Sequence, residues 1–162
     1  MSEELFFKVS SGVNEGLLYS FRLRAKNQLG WGPYSEIVQT IPCTNPAKMT
    51  PVTMTIENIY VKVSWTLPPA NGAQITNYRV LILANDQMTW QESVQCDSAD
   101  PVLVSDLECF VPMEELTGPR FSLGYNQFIK AKVQARNYRG WSELSNTNTV
   151  GVYSEVVPQA VG

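Results

Sequence analysis

Two stretches of this chain say nearly the same thing. Tyr19 to Ser35 reads YSFRLRAKNQLGWGPYS, and Ile129 to Ser145 reads IKAKVQARNYRGWSELS. Laid together without a gap, Ala25, Asn27, Gly30, Trp31 and Ser35 fall on Ala135, Asn137, Gly140, Trp141 and Ser145, each 110 residues further on. Such a repeat means two copies of one structural unit. In the first copy Tyr19, Phe21, Leu23 and Ala25 alternate with Ser20, Arg22, Arg24 and Lys26. That is the period of a half-buried antiparallel strand with a basic outer face. Asn27 to Pro33 carries turn residues, and Glu36 to Ile41 returns as the partner strand of a hairpin.

Leu5 to Val9 alternates weakly as a further strand, followed by a turn around Gly12, Asn14 and Gly16. Pro42 to Pro51 holds three prolines and no period, so residues 43–51 read as a linker. Residues 1–42 then supply only about three strands, whose apolar face has nothing to cover it. The first unit is expected to be the end of a domain, completed either by a longer parent chain or by another molecule.

Residues 52–158 read as a complete unit, with 159–162 a tail. Thr53 to Ile56 is a short edge strand, and Val61, Val63 and Trp65 alternate with polar residues. Leu67 to Ala73 (LPPANGA) is a loop. Tyr78, Val80 and Ile82 form the next inward set. Trp90 to Cys96 and Val102 to Val111 are expected as strands, with Cys96 and Cys109 at the edges of a polar loop. Phe128 to Ala135 repeats the alternating strand, and Thr147 to Val157 the return. No sustained helical period occurs between Thr50 and Pro158, so the class is all-β.

Composition excludes several kinds of function. Histidine is absent, which removes the commonest general base and metal ligand and every Ser-His or Cys-His nucleophile. The three cysteines, Cys43, Cys96 and Cys109, have no zinc-ligand spacing. Glu114 and Glu115 are adjacent but have no second acid placed to form a catalytic pair. The chain is therefore expected to be no enzyme, without cofactor or metal. A net charge of -3 gives no electrostatic case for nucleic acid. No apolar run approaches the roughly 20 residues that span a bilayer. The opening MSEELFFKVS is no signal peptide, so export would require this chain to be a piece of something longer.

Trp65, Ile75 and Tyr78, together with Ala25/Asn27/Gly30/Ser35 and Ala135/Asn137/Gly140/Ser145, resemble the pattern of the fibronectin type III family. The resemblance implies an immunoglobulin-type β-sandwich: one complete domain, Thr50 to Pro158, preceded by the last strands of another. In that family a tyrosine opening the sixth strand hydrogen-bonds backwards as a corner. Tyr19 matches it; in the second copy the position is Ile129, where the corner is either lost or supplied by Tyr125. The insert around 96–109 (CDSADPVLVSDLEC) resembles the type III repeats of very large proteins of ciliated protists.

The Cys96–Cys109 pair is either a disulfide, closing a loop worth about 3 kcal/mol in the chain-entropy model, or two free thiols in a cytosolic protein. Cys43 is either an intermolecular partner or an unpaired thiol. In cytokine-receptor type III domains, arginines of this strand stack on tryptophans of a Trp-Ser-x-Trp-Ser stretch. That resemblance marks Arg22, Arg24, Trp31, Arg136 and Trp141 as cation–π or surface contacts, against the alternative of a solvated face. Leu81, Leu83 and Trp90 are either an exposed contact patch or are covered by the Asp97 to Val104 loop.

These features point to a non-catalytic structural or interaction segment of a larger extracellular or cell-surface tandem-repeat protein, with head-to-tail assembly into a fibre as one form of it. Its expected partners are other protein domains, either neighbouring copies or the rest of a longer chain. The alternatives are a ligand-binding receptor ectodomain segment, an accessory domain of a carbohydrate-active enzyme, or an intracellular cytoskeletal scaffold if the cysteines are reduced.

Overall fold

The computed structural model describes residues 8–9 and 11–155. The strand expected over Leu5 to Val9 and the tail at 159–162 fall mostly or wholly outside them. The first unit is a hairpin of β1 (Tyr19–Phe21), β2 (Lys26–Asn27), β3 (Gly30–Trp31) and β4 (Val38–Thr40). β1 pairs with β4, and β2 with β3, both antiparallel. Tyr19 ties the hairpin back on itself, its hydroxyl oxygen accepting from the Asn14 amide at 2.9 Å.

The second unit is a two-layer sandwich. One sheet holds β5 (Thr53–Glu57), β6 (Tyr60–Ser64) and, after an intervening stretch, β9 (Glu108–Pro112), in that order. The other runs β11 (Gly140–Trp141), β10 (Ala131–Asn137), β7 (Asn77–Leu83), β8 (Trp90–Gln91). Alternation places Val61, Val63 and Val111 from one layer against Tyr78, Val80, Ile82, Ala131, Val133 and Ala135 from the other, all fully buried. Trp65 and Tyr78 meet at the centre with ring centroids 5.4 Å apart.

Several expectations fail for local reasons. Val102 to Val111 is not one strand: Val102–Asp106 is a one-turn helix, α1, and only Glu108–Pro112 is extended. The Asp100 carboxylate accepts from the Val102 amide and starts the turn, and Leu107 ends it at φ 57°. The supposed polar loop therefore contributes Leu103 to the core. Trp90 to Cys96 is extended only over Trp90–Gln91 and closes as a 3-10 turn at Val94–Cys96. A second one-turn helix, α2, spans Met113–Thr117. The return expected at Thr147 to Val157 is reduced to a single bridge, Phe128 to Tyr153, among the described residues. Tyr125 is 77% exposed and makes no corner, while Ile129 is buried in the place that Tyr19 holds in the first copy. Nor is residue 43 onward a free linker, since Pro46 and Met49 are buried.

Candidate functional site

The two copies share three side-chain hydrogen bonds. Ser35 Oγ accepts from the Leu23 amide and Ser145 Oγ from the Val133 amide, both at 3.0 Å. Each serine then donates to the next carbonyl, Glu36 or Asn146, at 2.9 Å. Asn27 Oδ1 and Asn137 Oδ1 accept from Leu29 N and Arg139 N, again both at 2.9 Å. The repeat read in the sequence is thus a repeat of geometry.

Their surroundings differ. In the second copy the far edge of β10 is filled by β7, with Ala131 opposite Ile82, Val133 opposite Val80 and Ala135 opposite Tyr78. In the first copy the equivalent edge pairs with nothing among the described residues. Leu23 is 72% exposed and Val38 66%, whereas Val133 is fully buried. Phe21, Leu23, Val38, Val9 and Ser35 line a shallow, mainly apolar groove on this face.

The opposite face of the hairpin is a ladder of cations and rings. Arg22 Cζ lies 4.0 Å over the Tyr34 ring, and Arg24 Cζ lies 4.3 Å over Trp31 and 4.8 Å over Tyr34. Lys26 Nζ caps the row 5.6 Å over Trp31. Ion pairs among the described residues involve Lys62, Arg79 and Arg120, and the contacts of Arg22, Arg24 and Lys26 described here are with ring faces. Trp31 stays 56% exposed. The second copy keeps a shorter ladder: Arg136 stands 5.6 Å and Arg79 4.5 Å over Trp141, and Lys132 Nζ stands 4.4 Å over Trp90. Arg79 is also paired with Glu92 at 2.8 Å.

The structure thus brings together Arg22, Arg24 and Trp31, and separately Arg136 and Trp141. Sequence reasoning missed Tyr34, which the WGPYS stretch carries where the second copy has Leu144, and Arg79, which reaches Trp141 only through cross-strand register. The exposed patch of Leu81, Leu83 and Trp90 does not exist as such. Leu83 is 7% exposed at the end of β7 opposite Trp90, and Leu81 and Trp90 are half-buried, Trp90 beneath the Lys132 ammonium. Glu115 is structural, accepting from Ser93 Oγ at 2.8 Å and Val94 N at 2.9 Å.

Cys96 and Cys109 are joined, with sulfurs 2.04 Å and Cα atoms 5.7 Å apart. Both are buried, and the bond links the turn that leaves β8 to β9 of the opposite sheet. Cys43 is free and half-buried, its thiol in hydrogen-bond contact with the Tyr138 hydroxyl at 2.5 Å. That contact is the main cause lifting the Tyr138 hydroxyl above its ordinary pKa. Among the described residues no group of three or more His, Cys, Asp or Glu is arranged to hold a metal ion. No helix among them is long and apolar enough to cross a membrane.

No family model matches the chain. It is 40% identical over 67 residues to fibronectin type-III domain-containing protein 3a of Gallus gallus, covering 40% of this chain. The Homo sapiens protein 3A is 36% identical over 72 residues, or 43% of this chain. Titin domains A168–A170 superpose with a TM-score of 0.52 at 20% identity, covering 86% of this chain and 41% of that one. This is a fibronectin type III fold. The type III match spans only 6% of the length of the curated relatives.

Proposed function

We propose that this chain is a non-catalytic structural and interaction segment of a larger tandem-repeat protein, working outside the cell or at its surface. The observation that carries the reading is the N-terminal hairpin, which repeats hydrogen bonds of the β10–β11 turn while, among the described residues, nothing covers its apolar face or one of its strand edges. A sheet with such an edge takes up a further strand readily. Its partner is the remaining part of a type III unit, supplied by a neighbouring domain. If neighbouring copies supply it, the contact is heterologous and propagates head to tail into a fibre. The buried Cys96–Cys109 bond supports an oxidising compartment.

The test is the mass of the native protein without reduction, followed by peptide mapping of its cysteines. A Cys96–Cys109 bridge with a cross-link at Cys43 is the expected result. Three free thiols would overturn the extracellular reading and leave the intracellular scaffold. A strictly monomeric, well-folded species in solution would remove the fibre.

A second reading, a ligand-binding receptor segment, draws on the exposed Trp31 and the cations stacked beside it, which suit an acidic ligand. Under it, Trp31→Ala abolishes partner capture while the sandwich stays folded.

A further inference from the structure

Neighbouring domains joined by a short interface ordinarily move against each other. The segment between this hairpin and the sandwich also carries the prolines of a spacer. Its polar groups tell otherwise. Thr44 N donates to Asn71 O at 3.1 Å, Ala47 N to Pro69 O at 3.0 Å, and Gly16 N to Pro42 O at 2.8 Å. Three asparagines close the remainder. Asn137 Nδ2 donates to Thr44 O at 2.8 Å and Ala70 O at 3.1 Å. Asn71 Nδ2 donates to Asn45 O at 2.9 Å, and Asn45 Nδ2 to Trp141 O at 3.1 Å. Thr44 Oγ1 donates to Glu15 Oε2 at 2.6 Å, which ties the turn before β1 into the same knot.

Backbone contact completes the joint. Gly72 sits at φ +84°, and a Cβ there would stand 2.6 Å from both Gly16 N and Pro42 O. Asn137 is fully buried, and its Oδ1 holds Arg139 N while its amide nitrogen holds the incoming chain. Backbone and side-chain hydrogen bonds thus cross the joint from both sides.

We propose that the pole of the sandwich formed by Leu67–Ala73 and Asn137–Trp141 is a docking surface for the entering segment Cys43–Lys48, and that it locks the hairpin and the sandwich into one rigid body. Asn137 is the positioning residue of that surface, and Gly72 permits the close approach. The connector is a splint and not a hinge, so the angle between successive units is set by side chains that belong to the following one.

The full chain tests this by residual dipolar couplings measured on the amides of β1, β4, β7 and β10. A single alignment tensor is expected to fit all four strands, with order parameters of about 0.85 along residues 43–48. Gly72→Ala and Asn137→Asp are expected to split the fit into two tensors. Hydrogen-exchange protection at Thr44 and Ala47 should fall about tenfold or more, while Val80 and Val133 stay protected. Asn45→Ala, at an exposed position, provides the same reading if either variant damages the sandwich. Two tensors in the unsubstituted chain, or one tensor surviving in Asn45→Ala and in every variant that folds, would overturn the proposal. Neither result depends on compartment or on fibre assembly, so the proposed function stands or falls separately.

Discussion

Ser145 shows how much one side chain carries in the return half of this fold. Its Oγ satisfies the Val133 amide, as Ser142 Oγ satisfies Ala135 N at 3.1 Å and Asn148 Oδ1 satisfies Ala131 N at 2.7 Å. Side chains replace the backbone acceptors of a regular ladder, because the chain bulges here. Ser145→Ala leaves a buried N–H without a partner and is expected to cost about 1–3 kcal/mol in denaturant unfolding. Ser35→Ala, whose Leu23 amide lies near water, should cost well under about 1 kcal/mol. Tyr78 makes a second prediction. Burial pushes its hydroxyl up to about 12 from 10.0, and among the described residues that hydroxyl has no hydrogen-bond partner. Between those two values the unfolded chain has released the proton and the folded chain has not. Rising pH therefore favours unfolding, and stability should fall between about pH 10 and about pH 12. Tyr78→Phe removes that part of the fall, which denaturant midpoints on either side of the window will show. Asn137 and Ser145 were legible as marks of the repeat, but the bonds they make were not. Sequence spacing identifies equivalent positions; it does not say that Asn137 reaches a carbonyl 93 residues away.

Among the elements, the regular strands were readable and the short pieces were not. β6, β7 and β10 have strict alternation and a buried face, so period alone identifies them. Val102 and Val104 also alternate with other residues, yet they lie in α1, because Asp100 and Leu107 close a turn around them. A five-residue helix buries one side chain, Leu103, which is too little for periodicity to register. The cation–aromatic ladder was legible in part, since the family resemblance points to the tryptophans but not to Tyr34 or Arg79. The disulfide is the element-scale test. Its closed loop of 13 residues predicts that the Cys96→Ser/Cys109→Ser pair loses about 3 kcal/mol, read from thermal or denaturant unfolding of the full chain.

At the scale of the whole molecule, a two-layer sandwich is joined to a hairpin that shares its repeat motif. The hairpin repeats the turn's backbone bonds, Gly32 N to Ala25 O and Ser35 N to Leu23 O, that Ser142 N and Ser145 N make to Ala135 O and Val133 O, without the β7 strand that buries Leu23's counterpart. The sequence shows this asymmetry plainly, as one repeat motif with the strands of a full domain before it and one without. What it hides is the joint, because Gly72, Asn71 and Asn45 look like ordinary turn residues until the chain brings them together.

The bond between Cys96 and Cys109 also divides the chain by length under tension. Pulled from its two ends, the oxidised sandwich can pay out every residue except those inside the closed loop. Thirteen residues of extended chain amount to about 45 Å that stay out of reach of the force. Single-molecule stretching of the full chain should show an unfolding step longer by about 40 Å once the disulfide is reduced, because the bridged Cα atoms already span 5.7 Å. Redox state would then set how far the sandwich can lengthen under load.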